Sequence, residues 1–229
     1  TKRNFSHRTT LFMFTIIIPT HERHAVLLRS IDYYQHFNCN VIIADSSMER
    51  LDCIFPDNVI YRHLPKLSFA KKILEVAENV TTPYVCMSAD DDYIIESSLQ
   101  AATSFLSDNP DFVSAQGRYL KLELIEDQVM FSSRYSKESA NYAVTDEDIL
   151  SRVVNAYNPY MHHIYSVHRT EVFVRAFRSF VDISVNFMVE LATILAPMCY
   201  GKHKVLPMLW MVRDSHVFPR PDTYKTFSP

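Results

Sequence analysis

Apolar residues form short unbroken runs along the first half of the chain. Leu11–Ile18, Val41–Ala44 and Tyr84–Met87 are rich in β-branched and aromatic residues, and each run is followed by a proline or a polar residue. Runs of this kind are typical of strands that are buried on both faces of a parallel sheet. They predict three buried strands, and the stretch Asn58–Tyr61 predicts a further strand between the second and third runs.

Helical spacing separates these runs. Pro19–Arg23 opens a stretch in which apolar residues recur every three or four positions as far as Tyr34. A second helix is predicted at Phe69–Glu78, with Ser68 as its N-cap and Thr81–Pro83 as the break before the next strand. Because strand and helix alternate, we expect an α/β fold with a mostly parallel central sheet and helices on both faces.

The second half of the chain is less regular, and it shows no repeat or linker that would mark a domain boundary. We therefore expect one domain over residues 1–229. The predicted elements are one or two strands at Asp111–Leu124, a strand at Lys204–Val212, helices at Asp146–Asn155, Thr170–Phe180 and Val185–Leu195, a looped insertion at Ile125–Val144, and a closing loop from Arg213.

Three adjacent carboxylates follow the third apolar run, in the sequence Ser88-Ala89-Asp90-Asp91-Asp92-Tyr93. Such acids repel one another, so they are tolerated where a cation or water absorbs the charge. Thr20 and Asp45 end two other predicted strands at the same sheet edge, where open α/β sheets bind ligands. The pattern favours a hard-metal site for a phosphorylated substrate. The alternative is a turn in which Asp92 caps the helix that begins near Glu96.

Composition narrows the possible functions. The 229 residues include only two glycines, so neither a dinucleotide fingerprint nor a Walker phosphate loop can be built. A net charge of −3 gives no reason to expect nucleic acid. The four cysteines lack CxxC spacing and indicate reduced thiols in a cytoplasmic protein. No run reaches the roughly 18 consecutive apolar residues of a membrane span.

Several motifs together resemble one known family. They are TIIIPTHER, IIADSS, TTPYVCMSADDDY, VHRTE, FMVELATIL and VLPMLWMVRDSH, and they span residues 15–216 in family order. The chain resembles a GT-A fold glycosyltransferase of the family 2 type, close to bacterial relatives. The resemblance implies a Rossmann-like nucleotide-binding half at about 11–116 and an acceptor-side half with a closing tail at about 117–229.

The resemblance also implies roles for individual residues. Pro19, Thr20 and Arg23 match the start of the nucleotide pocket. Asp45 matches the family acid that contacts the base or ribose, and Lys72 matches a basic position in the helix before the acid cluster. All five are expected to bind the nucleotide-sugar donor.

The acid cluster matches the DxD-type signature of the family. Asp90 and Asp92 would hold Mn²⁺ or Mg²⁺ against the donor diphosphate, because these cations prefer oxygen ligands. Asp90 and Asp91 are also expected to bind the nucleotide-sugar donor. Arg213 and His216 match a segment that closes over the diphosphate. His216 would be a third metal ligand, a hydrogen-bond donor to phosphate, or a surface histidine.

The catalytic base of an inverting transfer should be an acid on the acceptor side. Asp182, in a predicted loop, and Glu190, inside an apolar helix, compete for this role. The match of FMVELATIL to the acceptor-side acid of the family favours Glu190.

Other residues are expected to be structural. His21 and His24 are predicted to lie on a helix surface, and Trp210 is predicted to be in the core. At most one of His162 and His163 can face the cleft if that stretch is a strand, and packing against neighbouring tyrosines is the favoured role.

Together with the acid cluster, this resemblance implies a metal-dependent inverting glycosyltransferase. Its partners would be a nucleotide-diphosphate sugar donor and a carbohydrate or lipid-linked glycan acceptor, as in surface polysaccharide synthesis. A sugar nucleotidyltransferase is the alternative enzyme, although those enzymes have a glycine-rich loop after the first strand and TIIIPTHER has no glycine. A degenerate domain that binds a sugar or partner without turnover is the third hypothesis. The chain begins without methionine, so further domains of a longer protein are left open.

Overall fold

A computed structural model describes residues 12–126, 128–133, 141–157, 161 and 163–214. The strands are β1 (Phe14–Thr20), β2 (Asn40–Asp45), β3 (Val59–His63), β4 (Tyr84–Met87), β5 (Asp92–Ile94), β6 (Phe112–Ile125), β7 (Gln128–Ser133), β8 (Ala143–Val144), β9 (Val167–Arg169) and β10 (Lys202–Asp214). The helices are α1 (His24–Tyr34), α2 (Phe69–Ala77), α3 (Glu96–Asp108), α4 (Ile149–Tyr157), α5 (Thr170–Phe180) and α6 (Asn186–Met198).

All the described strands belong to one mixed sheet. Its order is β3-β2-β1-β4-β9-β6-β10-β5, and β7 and β8 pair at the side with β6 and β10. The first four strands of this order are parallel, and β6 and β10 are also parallel to each other. Antiparallel pairs attach β9, β5, β7 and β8. The expected α/β class is confirmed.

Helices cover both faces of the sheet, as expected, because alternate strand residues point to opposite faces. Ile16 and Ile18 of β1 lie in one core with the apolar residues of α1 and α3. Ile17 lies in a second core with the apolar residues of α2 and α5. Each such isoleucine is fully buried, which contributes about 1.5–3 kcal/mol to folding.

Several sequence-based boundaries were wrong. Pro19 and Thr20 belong to β1, and α1 begins only at His24. Asp92 does not cap α3, because it lies in β5 and Ile95 occupies the cap position. The predicted loop at Ile125–Val144 contains β7 and β8 within its described residues. The short strand β9 was not predicted. By contrast, Ser68 caps α2 as predicted, with its hydroxyl accepting from Lys71 N.

Candidate functional site

The tips of three parallel strands meet at one edge of the sheet, as the sequence predicted. Thr20 at the end of β1 pairs with Asp45 at the end of β2. The Thr20 hydroxyl donates a hydrogen bond of 2.7 Å to Asp90 Oδ2, in the loop after β4. Pro19 precedes Thr20 in the same strand. The residues that were predicted to bind the nucleotide therefore lie beside the acid cluster at this edge.

Two arginines face the three acids. Arg23 donates from Nη1 to Asp90 Oδ1 over 2.7 Å and from Nη2 to Asp91 Oδ2 over 2.5 Å. Arg213 forms an ion pair with Asp92, with 3.0 Å between Nε and Oδ2. This second pair follows from the sheet, since Asp92 of β5 lies opposite Arg213 of β10 in the antiparallel ladder. Arg23 thus pairs with two of the acids, and Arg213 pairs with the third.

Asp90 is the most constrained of these carboxylates. Burial raises its pKa, although the hydrogen bond from Thr20 and the charge of Arg23 act in the opposite direction. Desolvation disfavours the ionised form, and nearby cations restore it. Asp90 is therefore an acid whose charge depends on its cationic neighbours.

The backbone of the acid loop is fixed by helix α1. Ser30 donates from its hydroxyl to Asp90 O over 2.5 Å. The hydroxyl of Tyr34, which is fully buried, donates to Asp92 O over 3.0 Å and accepts from Ile94 N over 2.9 Å. In the sequence, Tyr34 is recognisable only as one of the apolar positions of the helix, and its spacing gives no sign of this second role.

Lys72 lies beneath the strand tips. Its Nζ donates to Thr20 O over 2.5 Å and to Ser46 Oγ over 3.0 Å, and the side chain is buried. Burial lowers its pKa to about 8, while the charges of Asp45 and Asp90 partly oppose that fall. The resemblance placed this lysine near the donor, and the structure places it within the strand-tip cluster.

Asp45 is enclosed by protein groups. Its Oδ1 accepts from Ser47 N and Oγ, and its Oδ2 accepts from the Tyr61 hydroxyl at 2.6 Å and contacts His24 Nε2 at 2.9 Å. The side chain is 0% exposed. Burial alone would raise its pKa, but these hydrogen bonds lower it below the ordinary value. Contact with a base or ribose would therefore require a change of partners.

His21, just before α1, and His24, at the start of α1, are not simple surface residues. His21 Nδ1 lies 3.1 Å from Ser46 O, and His24 contacts Asp45 as described above, so both face the β2 tip. Between them, Glu22 adopts a left-handed backbone with φ of 53° and bonds through its amide to Ser47 Oγ. Left-handed conformations are uncommon outside glycine and often mark functional turns.

Tyr165 lies near both the acid loop and helix α6. The Arg213 guanidinium lies 5.2 Å from its ring centroid. Burial raises the pKa of Tyr165, and the negative charges of Asp92, Asp91 and Glu190 raise it further, so Glu190 shares this neighbourhood. Asp182, in contrast, has a side chain that is 87% exposed and pairs with Lys71 at 3.3 Å. Tyr165 carries no sequence motif that would have singled it out.

The acid cluster has oxygen donors of the type that Mg²⁺ and Mn²⁺ prefer. Within the described ranges, no group of three or more candidate ligands is arranged around a common metal position. The guanidinium of Arg23 already bonds to two of the carboxylates. The donor set thus suits a divalent cation chemically, provided that substrate oxygens complete the shell and arginine contacts give way. His216, the other predicted ligand, lies outside the described residues.

Comparisons with known proteins identify the fold. No protein-family model and no curated protein matches the sequence. Among solved structures, Staphylococcus aureus TarS 1-349 in complex with UDP-GlcNAc is similar, with a TM-score of 0.58 and 14% identity over 91% of this chain and 60% of that chain. TarS 1-349 in complex with UDP gives a TM-score of 0.53 and 14% identity over 89% and 60% of the two chains.

This likeness confirms the GT-A-like architecture. The chain spans about three fifths of the TarS segment it matches, and 37% of the longer TarS chain. No helix among the described residues is long and apolar enough to cross a membrane.

Proposed function

We propose that this protein is a metal-dependent inverting glycosyltransferase of the GT-A family 2 type that uses a nucleotide-diphosphate sugar. The main support is the meeting of Thr20, Arg23 and Arg213 with the Asp90–Asp92 cluster at the strand-tip edge. The similar fold of TarS, solved with UDP-GlcNAc, makes UDP-sugars the first donors to test.

The charges at the site support a cation-dependent donor site. Asp45 and the three adjacent acids face Arg23, Lys72 and Arg213, so four potential negative charges meet three positive ones. A bound diphosphate would add more negative charge. When bound, a divalent cation would supply positive charge that offsets the negative charge of the diphosphate. Asp90 and Asp92 would be its protein ligands, with His216 as a further candidate.

On the acceptor side, Glu190 is the proposed base. It would accept the proton of the acceptor hydroxyl while that oxygen bonds to the anomeric carbon and the nucleoside diphosphate leaves from the opposite face. Its position on α6, near the charges around Tyr165, supports this role. The acceptor would be a carbohydrate or lipid-linked glycan hydroxyl.

Calorimetry tests the donor part of the proposal. The ligands are UDP, UDP-GlcNAc, and sugars linked to GDP, dTDP or CMP, each measured with and without Mn²⁺. At least one UDP ligand should bind in a Mn²⁺-dependent manner. Asp92→Asn should abolish the Mn²⁺ dependence, because it removes one charged ligand. Asp108→Asn, an equivalent change at an exposed position, should leave binding unchanged. Absence of binding to all donors would favour the degenerate domain.

Substitution of Asp45 tests whether this residue recognises the nucleoside or only supports the structure. Loss of a charged hydrogen-bond partner of the base or ribose should weaken UDP binding about tenfold or more. Asp45→Asn should then leave binding of Mn²⁺-pyrophosphate nearly unchanged. Equal loss for both ligands, with a lower melting temperature, would assign Asp45 to holding the β2 tip through Ser47, Tyr61 and His24.

A further inference from the structure

Arg23 occupies an unusual position among the residues of the candidate site. It precedes α1, and its backbone carbonyl accepts the first helical hydrogen bonds, from Val26 and Leu27. Its guanidinium reaches back and bonds to Asp90 with one nitrogen and to Asp91 with the other. The side chain is 27% exposed, so it is partly accessible to solvent.

We propose that Arg23 is a built-in counter-ion that takes the place of the divalent cation in the donor-free protein and must leave Asp90 and Asp91 when cation and donor bind. This inference rests on the proposed function and adds a regulatory step to the same site. A guanidinium that bonds to a carboxylate weakens the binding of a metal ion to the same carboxylate, because the two cations repel each other.

Arg213 is less suited to such an exchange than Arg23. It lies within strand β10 and is held opposite Asp92 by the ladder with β5. Its guanidinium also lies over the ring of Tyr165, which attracts a cation. For Arg23, the side-chain hydrogen bonds found within the described part of the chain lead from its guanidinium to the two acids. Arg23 is therefore the arginine that a cation would displace.

The exchange would couple cation binding to donor binding. Without donor, a cation must replace Arg23 on the carboxylates and leave the guanidinium without an anionic partner. With donor, the diphosphate supplies such a partner, so displacement becomes easier. Two ligands that favour the same rearranged state bind cooperatively, and the coupling is reciprocal. Mn²⁺ alone should consequently bind weakly, and UDP should strengthen its binding.

The test compares Mn²⁺ binding by wild type, Arg23→Met and Arg23→Lys, measured from the loss of the free Mn²⁺ signal in electron paramagnetic resonance. Arg178→Met is the matched control, because it removes an exposed arginine paired with Glu78 outside this site. Without nucleotide, R23M should bind Mn²⁺ about tenfold or more tightly than wild type, the range for losing a charged hydrogen-bonded competitor. R178M should match the wild type.

Added UDP should tighten Mn²⁺ binding several-fold in wild type and much less in R23M. A folded R23M whose Mn²⁺ affinity equals that of wild type would overturn the proposal. If R23M does not fold, R23K decides, because a lysine ammonium lacks the two-nitrogen fork and should compete less well. Unchanged Mn²⁺ affinity in folded R23K would then reject the exchange.

The same measurements show separately whether the Arg23 exchange fails and whether the proposed function fails. Failure of wild type to bind any UDP ligand with Mn²⁺ would contradict the donor assignment. The nucleotide-free comparison of R23M with wild type would still show whether Arg23 competes with the cation.

Discussion

Acidification should destabilise this protein through a group of buried histidines. His163, His168 and His203 are each at most 2% exposed, and the rings of His163 and His203 stack with centroids 3.9 Å apart. Burial lowers the pKa of His168 from 6.5 to about 4. Burial also lowers the pKa of His203 well below its ordinary value, and the neighbouring histidines lower it further.

The sign and size of the effect follow from these pKa values. The folded protein takes up the His168 proton only near pH 4, whereas the unfolded chain takes it up near pH 6.5. The stability is therefore complete above about pH 6.5 and is lost as the pH falls toward 4. The difference for His168 alone corresponds to about 3 kcal/mol, and His203 adds to it. That is a large share of a typical stability of about 5–15 kcal/mol.

Two acids near the strand tips modify the result at lower pH. The lowered pKa of Asp45 adds to the loss of stability below its ordinary titration range. The raised pKa of Asp90 acts in the opposite direction, because its protonation is easier in the folded state. Between about pH 6.5 and pH 4 the histidines should therefore lower the stability, while the raised pKa of Asp90 offsets part of that loss.

The single tryptophan provides the assay. Trp210 is fully buried and donates from Nε1 to Tyr165 O, so its fluorescence should report unfolding. Urea titrations between about pH 7 and pH 4 give the free energy of unfolding at each pH. His168→Gln removes one titrating group while keeping a donor near His163 O, and His36→Gln is the control at an exposed histidine.

The pH dependence should be shallower in H168Q by about one proton and unchanged in H36Q. A free energy of unfolding that is constant from about pH 6.5 to pH 4 would refute the reasoning. An equal fall of the free energy of unfolding in wild type and H168Q would also refute it.

Three further predictions concern packing, donor binding and turnover. Gly117→Ala would place a Cβ 2.5 Å from Met208 O, so it should cost about 1–3 kcal/mol and lower the melting temperature by several degrees; an unchanged melting temperature would contradict this contact. UDP affinity should fall as the pH rises through about 8, because Lys72 then loses its charge, and Lys72→Arg should remove this decline in calorimetry. Glu190→Gln should keep UDP binding but lower turnover by roughly 10² to 10⁴, whereas normal turnover together with an inactive Asp182→Asn would transfer the role of base to Asp182.

The predictable part of the fold was the part governed by local pattern. The buried strands β1, β2 and β4 were visible as unbroken apolar runs, and Ser68 was visible as a cap. Trp210 was correctly assigned to the core. The shared edge of Thr20, Asp45 and Asp90 also followed, because parallel strands end on the same side of a sheet.

The remaining features depend on contacts between distant segments. Strand β9 has only three residues, including a buried histidine, so it has no periodicity to recognise. His24 was placed on the surface because nothing in the helix pattern shows that Asp45 lies beside it. The pairing of Arg23 with Asp90 and Asp91 likewise could not be predicted from the sequence, although all three residues had been assigned to the donor site. Tyr165 lies among these charges only because the fold brings β10 and α6 beside it.

The Asp92–Arg213 pair also bears on how the chain folds correctly. β5 has three residues, and its ladder with β10 places Arg213 opposite Asp92 and Met211 opposite Ile94. A slip of one residue could bring Asp214 opposite Asp92, and like charges in that position are destabilising. It would also turn the buried Ile94 toward the wrong face. The ion pair thus favours one strand register, because it forms only when Arg213 lies opposite Asp92.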